Sequence, residues 1–327
     1  MALTKRKAWR YVEGEAPPLA SLFAGGLAGR QARRYWVKDN IVNGIDLAVH
    51  FALRLVPMDT CSNAGAWIGR FAIPRFHEVA VRRGKATLSR ILPEQPEAER
   101  QALLERNWEA QGRLMTEFSA LARLDAATDR ITVHDLHHLT DAVARGPVIL
   151  VGMHLGNWEI GSLILKNTGL RPHINYTPPK GRAKAWISRR IRTRAGVAFL
   201  PPGAQGTRLA VKTLRAGKVV SMFCDEGVSG QIRGPLFGRA PHQEGNLAVA
   251  VRMARITNAT ICPWYNLRRD GFRFDCFFLP PLMLPAKDRA GDGDLGEDIA
   301  RLNAVIEPVI RANLEQWYFL DNALPDA

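Results

Sequence analysis

The chain is poor in acidic side chains: 31 Asp and Glu stand against 45 Lys and Arg in 327 residues, a formal net charge of +14. Cysteine is scarce too. Cys61, Cys224, Cys262 and Cys276 show no paired metal-ligand spacing. Cys224, Cys262 and Cys276 sit in strand-like apolar runs and read as reduced packing residues of a cytosolic compartment. No Gly-x-Ser-x-Gly segment occurs, so a serine nucleophile on a strand-to-helix elbow is excluded. There is no internal repeat and no low-complexity tract. No cleavable signal peptide is read, because Glu13, Glu15 and the Pro17-Pro18 pair follow the basic first residues where an apolar core would be needed.

Long hydrophobic runs are also missing. The best candidate, 41–56, is interrupted by Asn43, Asp46, His50 and Arg54. Those four recur at helical steps of three and four, a narrow polar stripe on an otherwise apolar helix that Pro57 ends. Such a helix either lies in a membrane interface with its stripe facing water, or packs into the core. Basic flanks at Arg33, Arg34 and Lys38 favour the interface, and Ala64, Trp67, Ile68, Phe71 and Ile73 extend the same apolar surface. His50 is then a stripe residue and not a catalyst.

The positive surplus needs an acidic partner. Basic residues cluster at Lys5, Arg6, Lys7 and Arg10, at Arg30 to Lys38, and from Lys180 through Arg194. No helix-turn-helix, RNA-recognition or zinc-finger signature accompanies them. Trp186 is the only aromatic in the last cluster, so base-stacking platforms are not evident. An anionic membrane surface or an acidic carrier protein fits better than nucleic acid.

What the chain does have is Pro147-Val-Ile-Leu-Val-Gly-Met-His154-Leu-Gly-Asn157-Trp158-Glu159. A short apolar run has the pattern of a buried strand and delivers a histidine, then a carboxylate five residues later. Asn157 is placed to cap a helix, Glu159 falls in its first turn, and Ile160, Leu163 and Ile164 supply its apolar face. His154 therefore lies where polar groups of open α/β sheets meet ligands. Glu159 can bond one imidazole nitrogen, fix the tautomer and raise the basicity of the other, which equips His154 to deprotonate a hydroxyl. Spacing alone leaves a capping glutamate beside a surface histidine equally open. Two metal ligands would need a third partner, and none is in sight.

The HLGNWE stretch and its flanks resemble the HX4(D/E) acyltransferases that acylate lipid A precursors, and the related lysophospholipid and phosphatidylinositol mannoside acyltransferases. The likeness continues through Leu214-Arg-Ala-Gly217 and the strand ending at Asp225-Glu226. It extends through the loop Gly234-Pro-Leu-Phe237-Gly238, the helix after Gly245, the strand at Ala259–Pro263, and upstream through Leu92–Arg100. It spans roughly residues 40 to 320, in order.

The resemblance implies an α/β fold, a central mostly parallel sheet flanked by helices, with a helical N-terminal extension. Three stretches follow: a basic segment 1–40, a helical membrane-associating region 41–125, and an acyltransferase core 126–327 that forms one structural domain with it. It implies a peripheral enzyme on the cytoplasmic face of the inner membrane. That enzyme would move a fatty acyl chain from an acyl carrier protein or coenzyme A thioester to a lipid hydroxyl, with no cofactor and no metal. His154 is then the general base and Glu159 its orienting carboxylate. Asn157, Arg192, Asp225, Glu226, Phe237 and Gly238 are the implied substrate-side residues, Arg192 meeting a phosphate or the thioester. Two departures bear on the acceptor. A family tyrosine-arginine-proline segment reads Tyr176-Thr177-Pro178, and the Glu-Gln-x-x-Trp-x-His-Arg ending survives only partly, from Glu315 to Asp321. A lysolipid, glycolipid or aminolipid acceptor is therefore weighed beside a lipid A precursor. A non-catalytic lipid-binding or tethering protein is the rival class; it would keep the amphipathic helix without needing the His154 motif.

Strands are expected at 148–153, 219–224, 260–267 and 272–278, with amphipathic helices at 96–124 and 295–317. Leu104, Trp108, Met115 and Phe118 are expected on the core face of the first of these helices.

Overall fold

The computed structural model describes residues 15–124, 129–228, 230–284 and 295–325. The basic cluster from Lys5 to Arg10 lies outside the described residues.

The strands are β1 (Ile131–His134), β2 (Val148–Gly152), β3 (His173–Asn175), β4 (Ala198–Leu200), β5 (Val219–Phe223), β6 (Glu226–Val228), β7 (Gln231–Gly234), β8 (Thr260–Arg268) and β9 (Phe274–Phe278); β2, β5, β8 and β9 match the four expected apolar runs, and the short others are not among those expected. Seven of them form one sheet in the order β1-β9-β8-β2-β5-β3-β4, while β6 and β7 form a separate hairpin. All neighbours in the large sheet are parallel except β8 and β9. The protein is an α/β fold with a mostly parallel sheet, as its strand and helix pattern implies. β2 runs through the middle and is buried along its whole length. Its composition explains this: Ile149 and Val151 join one hydrophobic cluster, Val148 and Leu150 the other. A strand apolar on both faces is stable only where helices cover both sides.

The helices are α1 (Gly26–Arg33), α2 (Asp39–Leu53), α3 (Met58–Phe76), α4 (Glu78–Ile91), α5 (Glu97–Ala120), α6 (His137–Arg145), α7 (Ile160–Asn167), α8 (Arg182–Arg194), α9 (Ala204–Arg215), α10 (Asn246–Thr257) and α11 (Leu295–Ala312), of which α6, α7, α9 and α10 pack on the sheet. α3 and α5 pack backbone to backbone. A Cβ on Gly65 would lie 2.5 Å from the Gly112 carbonyl oxygen, and one on Gly112 only 2.1 Å from that of Gly65. Any side chain at either position would force the two helices apart.

Three sequence expectations are corrected here. The polar stripe of α2 does not face water. Asn43 Oδ1 accepts the Ala183 N–H at 2.8 Å, the His50 ring bonds Ser119 Oγ at 2.9 Å, and Asp46 lies 4.0 Å from Lys184. The stripe packs on the protein and the apolar face turns outward, with Ile41 59 %, Ile45 58 % and Val49 51 % exposed. Trp67 and Phe71 of α3, stacked at 5.6 Å, are exposed as well. On α5, Leu104 and Trp108 are buried as expected, but Met115 is exposed. The last helix stops at Ala312 and not at Trp317: Asn313 leaves helical geometry, and after a short 3-10 turn Trp317 is extended. Among the described residues no helix is long and apolar enough to cross a membrane.

Candidate active site

Parallel pairing of β2 with β5 sets Gly152 opposite Phe223. Two residues further on, each strand delivers a polar side chain, His154 from β2 and Asp225 from β5. They meet: His154 Nδ1 lies 3.0 Å from Asp225 Oδ1 and 3.2 Å from the Asp225 carbonyl oxygen. Both neighbours are acceptors, so Nδ1 carries the proton and Nε2 keeps its lone pair. Asp225 Oδ2 accepts two further bonds, from the His154 backbone N–H at 2.7 Å and from Trp317 Nε1–H at 2.8 Å. The carboxylate is wholly buried. Among the described residues, none bonds Nε2.

Glu159 does not orient His154. It ends the turn before α7 and forms a two-bond ion pair with Arg192, through Nε at 3.0 Å and through the guanidinium terminus. The helix step carries its carboxylate toward α8, away from the imidazole edge that Asp225 occupies. Burial disfavours the Arg192 charge, but Glu159 outweighs it and holds the guanidinium above its ordinary pKa. Arg192 also lies over the Tyr176 ring, 5.2 Å from its centroid. The arginine cluster of α8 therefore divides. Arg192 turns inward, while Arg189, Arg190 and Arg194 remain exposed.

His154, Glu159 and Arg192 line one cavity of about 260 Å³, walled by Trp158, Phe223 and Trp264. The imidazole stacks on Phe223 at 4.0 Å and meets Trp158 and Phe319 edge-on at 4.7 and 5.0 Å. Gly161 allows this packing: a Cβ there would strike Trp264 at 2.1 Å. A second, more apolar cavity of about 480 Å³ lies between α2, α5 and α8, lined by Val49, Leu53, Phe118 and Ile187. Thr177 and Arg192 belong to the walls of both.

The remaining sequence candidates fall outside the cavity wall or act otherwise. Asn157 is buried and its side chain does not cap α7; Nδ2 donates to Glu117 Oε2 at 3.0 Å, and only its carbonyl receives the Ile160 N–H. Glu226 accepts the Asn246 N–H at 2.7 Å, at the start of α10. Burial, then the neighbouring Asp225 charge, push its carboxyl pKa up against that bond. Phe237 packs behind the site, 5.5 Å from the Trp317 ring, with its N–H held by Glu307. Gly238 is exposed, and a Cβ there would point into open space. Neither residue of that loop covers the cavity.

Several supporting residues carry no sequence signal. Glu117 is fully buried in α5, which reads as an ordinary amphipathic helix. Its carboxylate takes Arg268 in two bonds of 2.6 and 2.7 Å, Ser62 Oγ at 2.6 Å, and Asn157. That network fixes the loop after His154 to α5. Trp317 falls in the partly surviving ending from Glu315 to Asp321, whose spacing continues the helix before it, so its bond to Asp225 is not legible there. Among the described residues, no three His, Cys, Asp or Glu side chains gather to hold a metal ion.

The family model of the bacterial lipid A biosynthesis acyltransferases matches residues 31–324. The chain belongs to that family. No curated protein matches it significantly. The layout sets a hydrogen-bonded histidine–carboxylate pair at the strand ends and a carboxylate-held arginine on the same cavity wall. An apolar chamber adjoins them.

Proposed function

We propose that this acyltransferase moves a fatty acyl chain from a thioester to a lipid-borne hydroxyl, with His154 Nε2 as general base. The observation that carries the reading is the Asp225 bond to Nδ1, which leaves Nε2 as the basic nitrogen beside the cavity. Nε2 takes the acceptor hydroxyl proton as the oxygen attacks the thioester carbonyl. The tetrahedral intermediate collapses, the C–S bond breaks, and the imidazolium returns its proton to the departing thiolate. Asp225 stabilises the imidazolium in between. General-base assistance of this kind contributes about 10²–10⁴-fold. Arg192, aimed by Glu159, faces the developing oxyanion or a phosphate of either substrate. No metal or cofactor is invoked, because a thioester is already activated.

The 480 Å³ chamber suits the acyl chain, since its apolar lining meets the His154 cavity at Thr177 and Arg192. The outward apolar face of α2 suits a bilayer interface, with Arg33, Arg34 and Lys38 at its start for anionic headgroups. We read the enzyme as peripheral on the cytoplasmic face of the inner membrane, and that outward apolar face supports the membrane contact. The exposed arginines of α8 favour an acidic acyl carrier protein over coenzyme A as donor. The acceptor is a lipid A precursor or another glycolipid or lysolipid. The test is transfer of labelled acyl groups from each donor to lipid extracts on anionic vesicles, products resolved by mass spectrometry. Transfer to a lipid hydroxyl that is lost in His154→Ala supports the proposal. No transfer from any donor, or full transfer by His154→Ala, overturns it.

A further inference from the structure

We infer that Trp317 is a positioning residue for catalysis: its indole N–H fixes the carboxylate that fixes His154. The inference rests on the reading of His154 as base, and it explains a feature that reading leaves open. Asp225 accepts from three donors, and two of them belong to His154 itself. Among the described residues, Trp317 is the one donor to the Asp225 carboxylate that His154 does not itself supply. Without the indole, only the residue that Asp225 must orient would orient Asp225, and the carboxylate could turn about its Cβ–Cγ bond.

Trp317 is well anchored for the task. It is wholly buried, Asn107 Nδ2 donates to its carbonyl at 2.8 Å, and its ring packs against Phe237. Its backbone bridges Leu155, and the next N–H, of Tyr318, donates to the His154 carbonyl at 3.0 Å. The C-terminal segment thus lies along the catalytic loop and ties the His154–Asp225 pair to α5. An indole N–H is a donor only and cannot rotate. It cannot take a proton from Asp225 or turn to another acceptor, as a hydroxyl could, so it enforces a carboxylate of fixed orientation.

The test uses Trp317→Phe and, should that variant unfold, replacement of Trp317 by benzothienylalanine, which keeps the ring shape and lacks the N–H. In either, kcat for acyl transfer should fall at least about tenfold, with KM changed less than about twofold. In an Asp225→Asn background the same replacement should change kcat less than about twofold, because the two residues act through one bond. An NMR measurement of labelled His154 needs no substrate. It should show faster exchange of the Nδ1 proton with solvent. Unaltered kcat and Nδ1 proton exchange in a folded variant would overturn the inference. So would an equal fall in kcat in the Asp225→Asn background. If the native protein transferred no acyl group, the function proposed above would fail, while the Nδ1 proton exchange would still decide the role of Trp317.

Discussion

His154 and Asp225 stand two residues beyond register partners of adjacent parallel strands, and their side chains meet at 3.0 Å. Parallel strands lie about 4.8 Å apart. Equal offsets from paired positions therefore bring two side chains within bonding reach without any special loop. The histidine proposed as base and its carboxylate are neighbours because β2 and β5 are.

Substitution at the pair should separate the base from its positioner. His154→Ala is expected to abolish acyl transfer. Asp225→Asn should lower kcat by about 10²–10⁴-fold, because the amide can present an N–H where Nδ1–H needs an acceptor. KM should change little in both. Steady-state kinetics on folded variants check this, and near-native turnover in either would remove its residue from the mechanism.

The Glu159–Arg192 pair should behave as a buried ion pair and not as part of the base. Glu159→Ala leaves a largely buried guanidinium uncompensated and is expected to cost about 3 kcal/mol of stability. Glu159→Gln with Arg192→Met should recover much of that stability without restoring activity. Denaturant titrations beside kinetics distinguish this from direct orientation of His154. In that case Glu159→Ala would slow catalysis at unchanged stability.

Placing charges on the outward face of α2 should release the protein from lipid without unfolding it. Ile41→Asp with Ile45→Asp is expected to reduce flotation with anionic vesicles at least about tenfold, since about 25 cal/mol per Å² of apolar contact is forfeited. The melting temperature should hold, because both side chains are exposed in the protein alone. Loss of cooperative unfolding would show that this face is packed in solution.

Neutralising Arg189 and Arg190 should raise the KM for an acidic carrier-linked donor and flatten its salt dependence, with kcat nearly intact. Charges at an exposed surface act over a Debye length of about 8 Å at physiological ionic strength, so the effect should fade in high salt. Arg192→Ala should lower kcat instead. A salt series with both donor types tests the split; equal small effects at all three positions would make α8 a solvated face only.

By itself the sequence determined four strands of the sheet, the one that carries His154 among them, and the family; β1, β3 and β4 are too short to stand out as apolar runs. Apolar runs such as Val148 to Gly152 are stable only when buried on both faces, and the HX4E spacing is local. It could not determine which carboxylate reaches the histidine. Glu159 is near in sequence, but the turn into α7 sends it to Arg192. Asp225 is 71 residues away, and only strand pairing brings it in. The stripe on α2 was likewise legible as a stripe, yet nothing local says which side meets protein. That was decided by the hydrogen bonds waiting for it, on Ala183 and Ser119. Trp317 lies furthest beyond sequence reasoning. Its periodicity continues that of α11, and only the break at Asn313, made where the chain meets α5 and the loop after His154, turns its indole toward Asp225.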